Sequence, residues 1–316
     1  MSEPEKTGNW EREVLEKLAL AAVKEQRTAR HWSIFFKLLG FSFLFILLFL
    51  GLGWIGDRGI PIPGKHTAVV ELTGTIAADQ TSADQITKGL EAAFEDVNTK
   101  GVILRINSPG GSPVQAGQIY DDIKRLRAKY PNIPLYAVVD DICASGAYYV
   151  AAAADKIYVD KASIVGSIGV LMDGFGFTGT MQKLGVERRL LTAGANKGFL
   201  DPFSPENPQQ VAYAQAMLEE IHQQFIKAVR DGRGSRLKET PDMFSGLVWS
   251  GQKSIELGLT DALGSTDYVA RNVIKAKDIV DFTPQEGFAN RFAKRFGVAM
   301  GKSMNPLAWS GSGVLR

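Results

Sequence analysis

Nineteen consecutive residues, Leu38 to Gly56, carry no charge, and this run constrains the chain more than any other feature. At 1.5 Å per residue a helix over it is about 28 Å long, close to the hydrocarbon thickness of a bilayer. Hardly a polar residue interrupts its circumference, whereas a core helix of a soluble domain keeps one polar face. The run reads as a transmembrane helix, set at residues 34–56. A cleaved leader would have a shorter apolar core and a small-x-small exit. Here a long segment precedes the run and the exit is Gly53-Trp54-Ile55-Gly56, so an uncleaved anchor is expected. Lys24, Arg27, Arg30 and Lys37 precede it, against Arg58 and Lys65 beyond it. The positive-inside rule then puts the N-terminus in the cytoplasm and the bulk of the chain on the far side, with Trp32 and Trp54 as interfacial anchors.

The anchor divides the chain. Residues 1–33 mix charges with a modest apolar stripe at Val14, Leu18 and Ala22, the pattern of a solvated helix. Residues 57–66 form a Pro/Gly-rich linker, 67–284 a soluble domain, and 285–316 a tail. In the tail Phe288, Phe292 and Phe296 recur beside Arg291, Lys294 and Arg295, a basic amphipathic helix suited either to a membrane surface or to a neighbouring subunit.

Within 67–284 apolar runs alternate with helical patterns. Strands are expected at Ala68–Leu72, Val102–Ile106, Leu135–Val139, Lys156–Val159, Gly166–Val170 and Val186–Leu191. Helices are expected around Ile86, Leu90, Phe94 and Val97, around Ile119, Ile123 and Leu126, and over a long stretch with Val211, Ala214, Leu218, Ile221, Phe225 and Val229 on one face. Such alternation argues for an α/β domain with mainly parallel strands, which binds ligands at the strands' C-terminal edge.

Composition closes off several classes. A net charge of +2 argues against a nucleic-acid surface, and a single cysteine excludes an intramolecular disulfide or a Cys-rich zinc site. No metal-binding or nucleotide-binding motif is present, so neither a metal nor a cofactor is expected. His31, His66 and His222 are the only histidines, and none is placed for a Ser/His/Asp triad.

The stretch Asp140 to Ala154 follows the Leu135 strand and runs into an alanine-rich helix, placing Ser145 at a strand-to-helix turn. There a hydroxyl stands clear of the sheet, Gly146 lets a substrate backbone approach, and the first N–H groups of the helix face developing negative charge. On these residues alone, Ala144-Ser145-Gly146-Ala147 reads first as a small-residue helix start capped by Ser145. Cys143 beside it reads as a small buried residue, with a thiol nucleophile the lesser alternative. Upstream, Asn107-Ser108-Pro109-Gly110-Gly111 ends another strand in a turn with exposed N–H groups; downstream, Lys197 lies among Ala193, Gly194, Ala195, Gly198 and Phe199. A serine hydrolase with no histidine at hand needs another base, and lysine serves.

Together, Asn107 to Gly111, Ala144 to Tyr149, Gly166 to Val170 and Lys197 resemble the signal peptide peptidase A family of membrane-bound serine proteases, over roughly residues 67–264 in its short, single-domain form. The resemblance implies a crotonase-like (ClpP-like) superhelix, Ser145 as nucleophile and Lys197 as its base. It further implies Gly111 and Gly146 as oxyanion donors and Ser167 as the hydrogen-bond partner of the lysine. As partners it implies a homo-oligomeric ring, the membrane, and signal peptides or other apolar extended peptides as substrates. A base starting near pKa 10.4 must fall by roughly 3 units, so Lys197 is expected to be buried. Competing readings are a quality-control protease with the same dyad, an acyl-CoA enzyme of the crotonase type, and a non-catalytic membrane scaffold.

Overall fold

A computed structural model describes residues 8–51 and 64–284. It divides into two units, the first built on the N-terminal helix and the second holding residues 62–284.

In the first unit α1 (Gly8–Gly51) is one uninterrupted helix of 44 residues. The charged N-terminal segment and the apolar run, expected as separate elements, therefore share one rod of about 66 Å, more than twice a bilayer core. No glycine pair or proline breaks it between them. Its stretch Arg12–Leu48 is long and apolar enough to cross a membrane. Where charge gives way to apolar residues, Trp32 stacks on Phe36 and meets Phe35 edge-on, an aromatic cluster of the kind found at bilayer interfaces. Trp54, most of the 57–66 linker and the whole amphipathic tail lie outside the described residues.

The second unit is an eight-stranded sheet with helices packed on it. β1 (His66–Thr73), β2 (Thr99–Ser108) and β3 (Leu135–Ala144) pair in parallel, joined by α2 (Ala83–Glu95) and α3 (Pro113–Lys129). The helices start where their caps say they should. Ser82 and Gln85 form a capping box before α2, and Ser112 caps α3 with Pro113 following it. Ile86, Leu90 and Phe94 of α2 and Ile119, Ile123 and Leu126 of α3 are buried against strand residues such as Leu72, Leu104 and Ile106. Val97 departs from the expected pattern, because α2 ends at Glu95 and leaves Val97 exposed. The linker also ends one residue earlier than expected, since His66 opens β1 as a buried residue stacked on Phe282.

Beyond β3 the sheet forks. β4 (Lys156–Val159) pairs with the N-terminal half of β3, at Tyr136–Val138, and β5 (Ile164–Gly166) with its C-terminal half, at Ile142–Ala144. Between the two, the Asp140 carbonyl accepts a hydrogen bond from the Ser163 hydroxyl, so the gap leaves no orphan there. β5 pairs antiparallel with β6 (Val248–Ser250), β4 pairs with β7 (Ala262–Leu263), and β8 (Ile279–Asp281) flanks β1. Further helices of this unit are α4 (Gly146–Ala151), α5 (Thr178–Leu184), α6 (Pro208–Arg233) and α7 (Gly251–Glu256).

Two expected strands are corrected. β5 stops at Gly166 and does not extend to Val170, because Gly166 (φ 115°) and Ser167 (φ 52°) turn the backbone out of the extended region. Val186 to Leu191 forms no strand at all; it finds no pairing neighbour among the described residues, and every one of its residues is exposed. α6 forms as expected, but burial is concentrated in its C-terminal half, at Phe225, Ile226, Ala228 and Val229.

Candidate active site

β3 ends at Ala144 and α4 begins at Gly146, which leaves Ser145 alone at the junction. Its backbone takes φ 53° and ψ −127°, a conformation that L residues rarely adopt and that costs on the order of 1–3 kcal/mol. The strain is held from both sides. The Ser145 N–H donates to the Gly166 carbonyl at 2.8 Å, and its own carbonyl accepts from the Tyr148 and Tyr149 N–H groups. The side chain, by contrast, makes no capping bond. Ser145 is thus no ordinary helix cap: the backbone is fixed and the hydroxyl is left free for chemistry.

The Pro109-Gly110-Gly111 turn at the end of β2 presses against this junction. A Cβ on Gly110 would lie 2.6 Å from the Gly146 nitrogen and 2.8 Å from Ser145 Cβ, contacts that only glycine permits. The turn is pinned by neighbours of Gly111 rather than by Gly111 itself. Ile76 N–H donates to the Gly110 carbonyl and Ser112 N–H to the Ile76 carbonyl, both at 2.8 Å. Among the described residues the Gly111 N–H therefore remains unused, as does that of Gly146 in the first turn of α4. A Cβ built on Gly146 would stand 3.4 Å from the Gly111 nitrogen, so the two free donors are neighbours beside the serine. Such a pair of fixed N–H groups is what a tetrahedral oxyanion requires.

Ser145, Gly146, Gly111 and Ser167 all line one cleft of about 760 Å3. Ser167, in the left-handed region, donates its N–H to the Leu247 carbonyl at 2.7 Å and forms part of the cleft wall. Pro113 and Val114 of α3, Tyr149 of α4, Ile221 and Phe225 of α6, and Val170 and Leu171 supply apolar walls. Cys143, two residues before Ser145, is no part of the cleft: it is fully buried and burial pushes its thiol pKa well up, which removes it as a nucleophile.

Lys197 is not brought to this cleft. It lies in a run of tight turns, its N–H donating to the Gly194 carbonyl, and it is exposed rather than buried as expected. That loop is nonetheless well anchored. Asp201 accepts from Arg188 through both Nε and Nη2 at 3.3 Å and from the Ser204 hydroxyl at 2.7 Å, while Phe199 meets Tyr213 edge-on. Ser167 consequently makes no bond to the lysine within one chain. His222, expected on the helix surface, is half-buried with Nε2 3.2 Å from the Ile168 carbonyl, and among the described residues no histidine lines the cleft.

Tyr149, Gln224 and Asp121 line the cleft without having been singled out from the sequence for a role there. A signal for Asp121 existed: with Val114 and Gly117 it follows the i, i+3, i+7 spacing, on the face of α3 away from the buried Ile119, Ile123 and Leu126. Among the described residues no cluster of three or more His, Cys, Asp or Glu could hold a metal.

A parallel sheet with a strained serine at a strand–helix junction, flanked by a glycine turn with free N–H groups, defines the ClpP-like peptidase architecture. The Clp protease profile matches residues 65–164 and the peptidase family S49 profile residues 127–280. The chain belongs to peptidase family S49, the signal peptide peptidase A family. It is 31% identical over 220 residues to a provisionally named protease of Methanocaldococcus jannaschii, covering 67% of this chain and 70% of that protein. It is 30% identical over 194 residues to a provisionally named signal peptide peptidase SppA of Enterococcus faecium, covering 61% of this chain and 56% of that one. A Brucella melitensis protein named Na(+)/H(+) antiporter NhaA is 40% identical over 267 residues, 82% of this chain but 35% of that protein. The chain thus spans between about a third and just over half of the length of these last two relatives. Among solved structures, a membrane-bound stomatin-specific protease covers 70% of this chain at 14% identity with a TM-score of 0.41.

Proposed function

We propose that this protein is a membrane-anchored serine endopeptidase in which Ser145 attacks a peptide carbonyl, Gly111 and Gly146 hold the oxyanion, and Lys197 is the general base. The observation that carries the reading is the free Ser145 hydroxyl on a strained backbone beside two unused N–H groups, in a cleft with apolar walls. Neutral Lys197 would take the serine proton and return it to the leaving amine, with Ser167 orienting the ammonium.

A lysine in water is protonated at neutral pH and cannot act as a base. One chain leaves Lys197 exposed, and exposes with it Leu171, Phe175, Leu184 and Leu191 along the same segment. Burial of both the lysine and this apolar segment then falls to a second copy of the chain, so that each cleft is completed by its neighbour in a ring. Such an enclosed site admits extended peptides and excludes folded domains. The substrates are apolar extended segments, cleaved signal peptides foremost, with membrane-protein quality control as the neighbouring role for the same chemistry. Helix α1 crosses the membrane with its N-terminus in the cytoplasm and holds the peptidase domain on the outer side of the cytoplasmic membrane.

The stretch shared with the Brucella protein gives no ground for transport by this chain. The matched stretch covers 82% of this chain, hence most of the domain that the peptidase profiles also match, but only 35% of that protein.

Fluorophosphonate labelling of the detergent-solubilised oligomer tests the reading. Label on Ser145, located by mass spectrometry, should appear in wild type and vanish in both Ser145→Ala and Lys197→Ala. A wild type that stays unlabelled while a control hydrolase labels would instead favour the scaffold or thioester-binding readings.

A further inference from the structure

We infer that Asp121 forms a cation-selective subsite, so that the preferred substrate is an apolar segment carrying an Arg or Lys within about three residues of the cut bond. The inference rests on the peptidase reading and adds a substrate class to it.

Among the described residues Asp121 is the one charged residue lining the cleft that contains Ser145. Its carboxylate has no ion pair and no hydrogen bond among them, although Glu91, Asp122, Asp140 and Asp155 are each paired with an arginine. It is near the Tyr149 phenol, whose pKa is raised first by burial and then by the Asp121 charge. The side chains of Gln118 and Gln224 line the same cleft and likewise make no hydrogen bond among the described residues. The cleft therefore presents one unpaired negative charge, two free amides and an aromatic ring. That set suits an aliphatic stem ending in a cation.

Its place along the cleft follows from α3. Gly111 precedes that helix and Asp121 lies two turns into it, on the face that also presents Val114 and Gly117 to the cleft. At 1.5 Å per residue this puts the carboxylate about 12–15 Å from the oxyanion donors. An extended peptide covers that in roughly four residues, and a long side chain reaching ahead of its own Cα shortens it to two or three. Pro113 and Val114, in the first turn of α3 next to Gly111, take the apolar part of the same substrate. An apolar stretch flanked by a positive charge is also the make-up of a secretory signal peptide.

The experiment uses the full-length oligomer in detergent and pairs of apolar peptides with one cleavable site. Members of a pair differ only by Arg or its neutral near-isostere citrulline, placed at each of the three positions on either side of the cut. Wild type should favour the Arg member at one or two neighbouring positions by about three- to tenfold in kcat/KM, less at high salt. Asp121→Asn should bring that ratio to about 1, and Asp121→Lys should turn the preference towards Glu at the same position. Cleavage of both members at equal rates at every position overturns the assignment while leaving the peptidase reading intact. So does a preference that survives in Asp121→Asn, or an Asp121→Asn oligomer that dissociates with its preference unchanged, which would make Asp121 a subunit contact. A wild type that cleaves no peptide and takes no fluorophosphonate label defeats the peptidase reading, and this subsite falls with it.

Discussion

Gly111 and Gly146, the two donors proposed for the oxyanion, carry the same chemical group, yet their surroundings make opposite demands. At Gly111 the backbone has φ 147°, and a Cβ would come 2.2 Å from the Ile76 carbonyl oxygen, so no side chain fits without moving the turn. At Gly146 the nearest atoms to an added Cβ are Ala116 Cβ at 3.3 Å and the Gly111 nitrogen at 3.4 Å, and φ is not positive. Gly111→Ala should therefore lower both stability and activity. Gly146→Ala should hold stability to within about 1 kcal/mol, while its methyl crowds the donor pair and lowers kcat by about 10²-fold or more, the loss expected when one oxyanion donor fails. Thermal unfolding and peptide hydrolysis on the same preparations check the contrast. The strand end, the glycine turn and the helix start were each legible in the sequence because they are local events, whereas the grouping of Ser145, Gly146 and Gly111 into one site rested on the family resemblance. The surroundings of Lys197 were not legible, since they depend on what packs over its loop, and spacing carries no record of that.

At the scale of elements, the strands legible in the sequence are the central ones, β1 to β4, while the short, partly exposed edge strands β6, β7 and β8 pair with partners far away in the chain. Leu135–Val139 and Val102–Ile106 read correctly because central parallel strands are largely buried and so are largely apolar, with only Arg105 interrupting the second. Val186–Leu191 has apolar residues at both ends but Glu187, Arg188 and Arg189 between them, and it finds no strand partner among the described residues. The joint between α6 and β4 was equally invisible. There Asp261 accepts from Arg233 Nη1 at 2.8 Å, from Arg236 at 3.2 Å and from the Ile157 N–H at 2.7 Å, and the Arg233 side chain has no solvent exposure. Burial would raise the Asp261 pKa, but the Arg233 hydrogen bond and charge outweigh it and hold it below the ordinary carboxylate value. Asp261→Asn leaves a buried guanidinium without its counter-charge and should destabilise the protein by about 3–5 kcal/mol at neutral pH. A depressed folded pKa contributes stability that is complete above the unfolded value near 3.9 and lost as pH falls through the folded one. The gap between wild type and Asp261→Asn in denaturant unfolding should accordingly narrow below about pH 4. A gap that widens there would mean the pair is not what Asp261 contributes.

For the whole molecule the decisive question is whether a cleft works alone. A single chain places its strained serine beside the unused N–H groups of Gly111 and Gly146, yet leaves Lys197 in solvent along with a row of large apolar side chains, Leu191 being 97% exposed. Surface of that kind marks a contact with another chain or with a membrane, and the proposed ring assigns it to the former. Leu191→Glu should then leave the fold of the domain within about 0.5 kcal/mol of wild type, since a side chain so exposed packs on almost nothing within its own chain. It should nevertheless shift the protein to smaller species in light scattering and abolish labelling of Ser145. Mixing distinguishes a neighbour's lysine from a chain's own. Ser145→Ala and Lys197→Ala should each be inactive, but when both are present in one ring, a chain that keeps its serine can meet a neighbour that keeps its lysine. Random co-assembly at equal ratio should restore up to about a quarter of wild-type sites. No recovery from demonstrably mixed rings would require the lysine to reach the serine of its own chain. The exposed 171–200 segment would then have to fold inward on assembly, and oligomerisation would act by moving the base rather than by lending one.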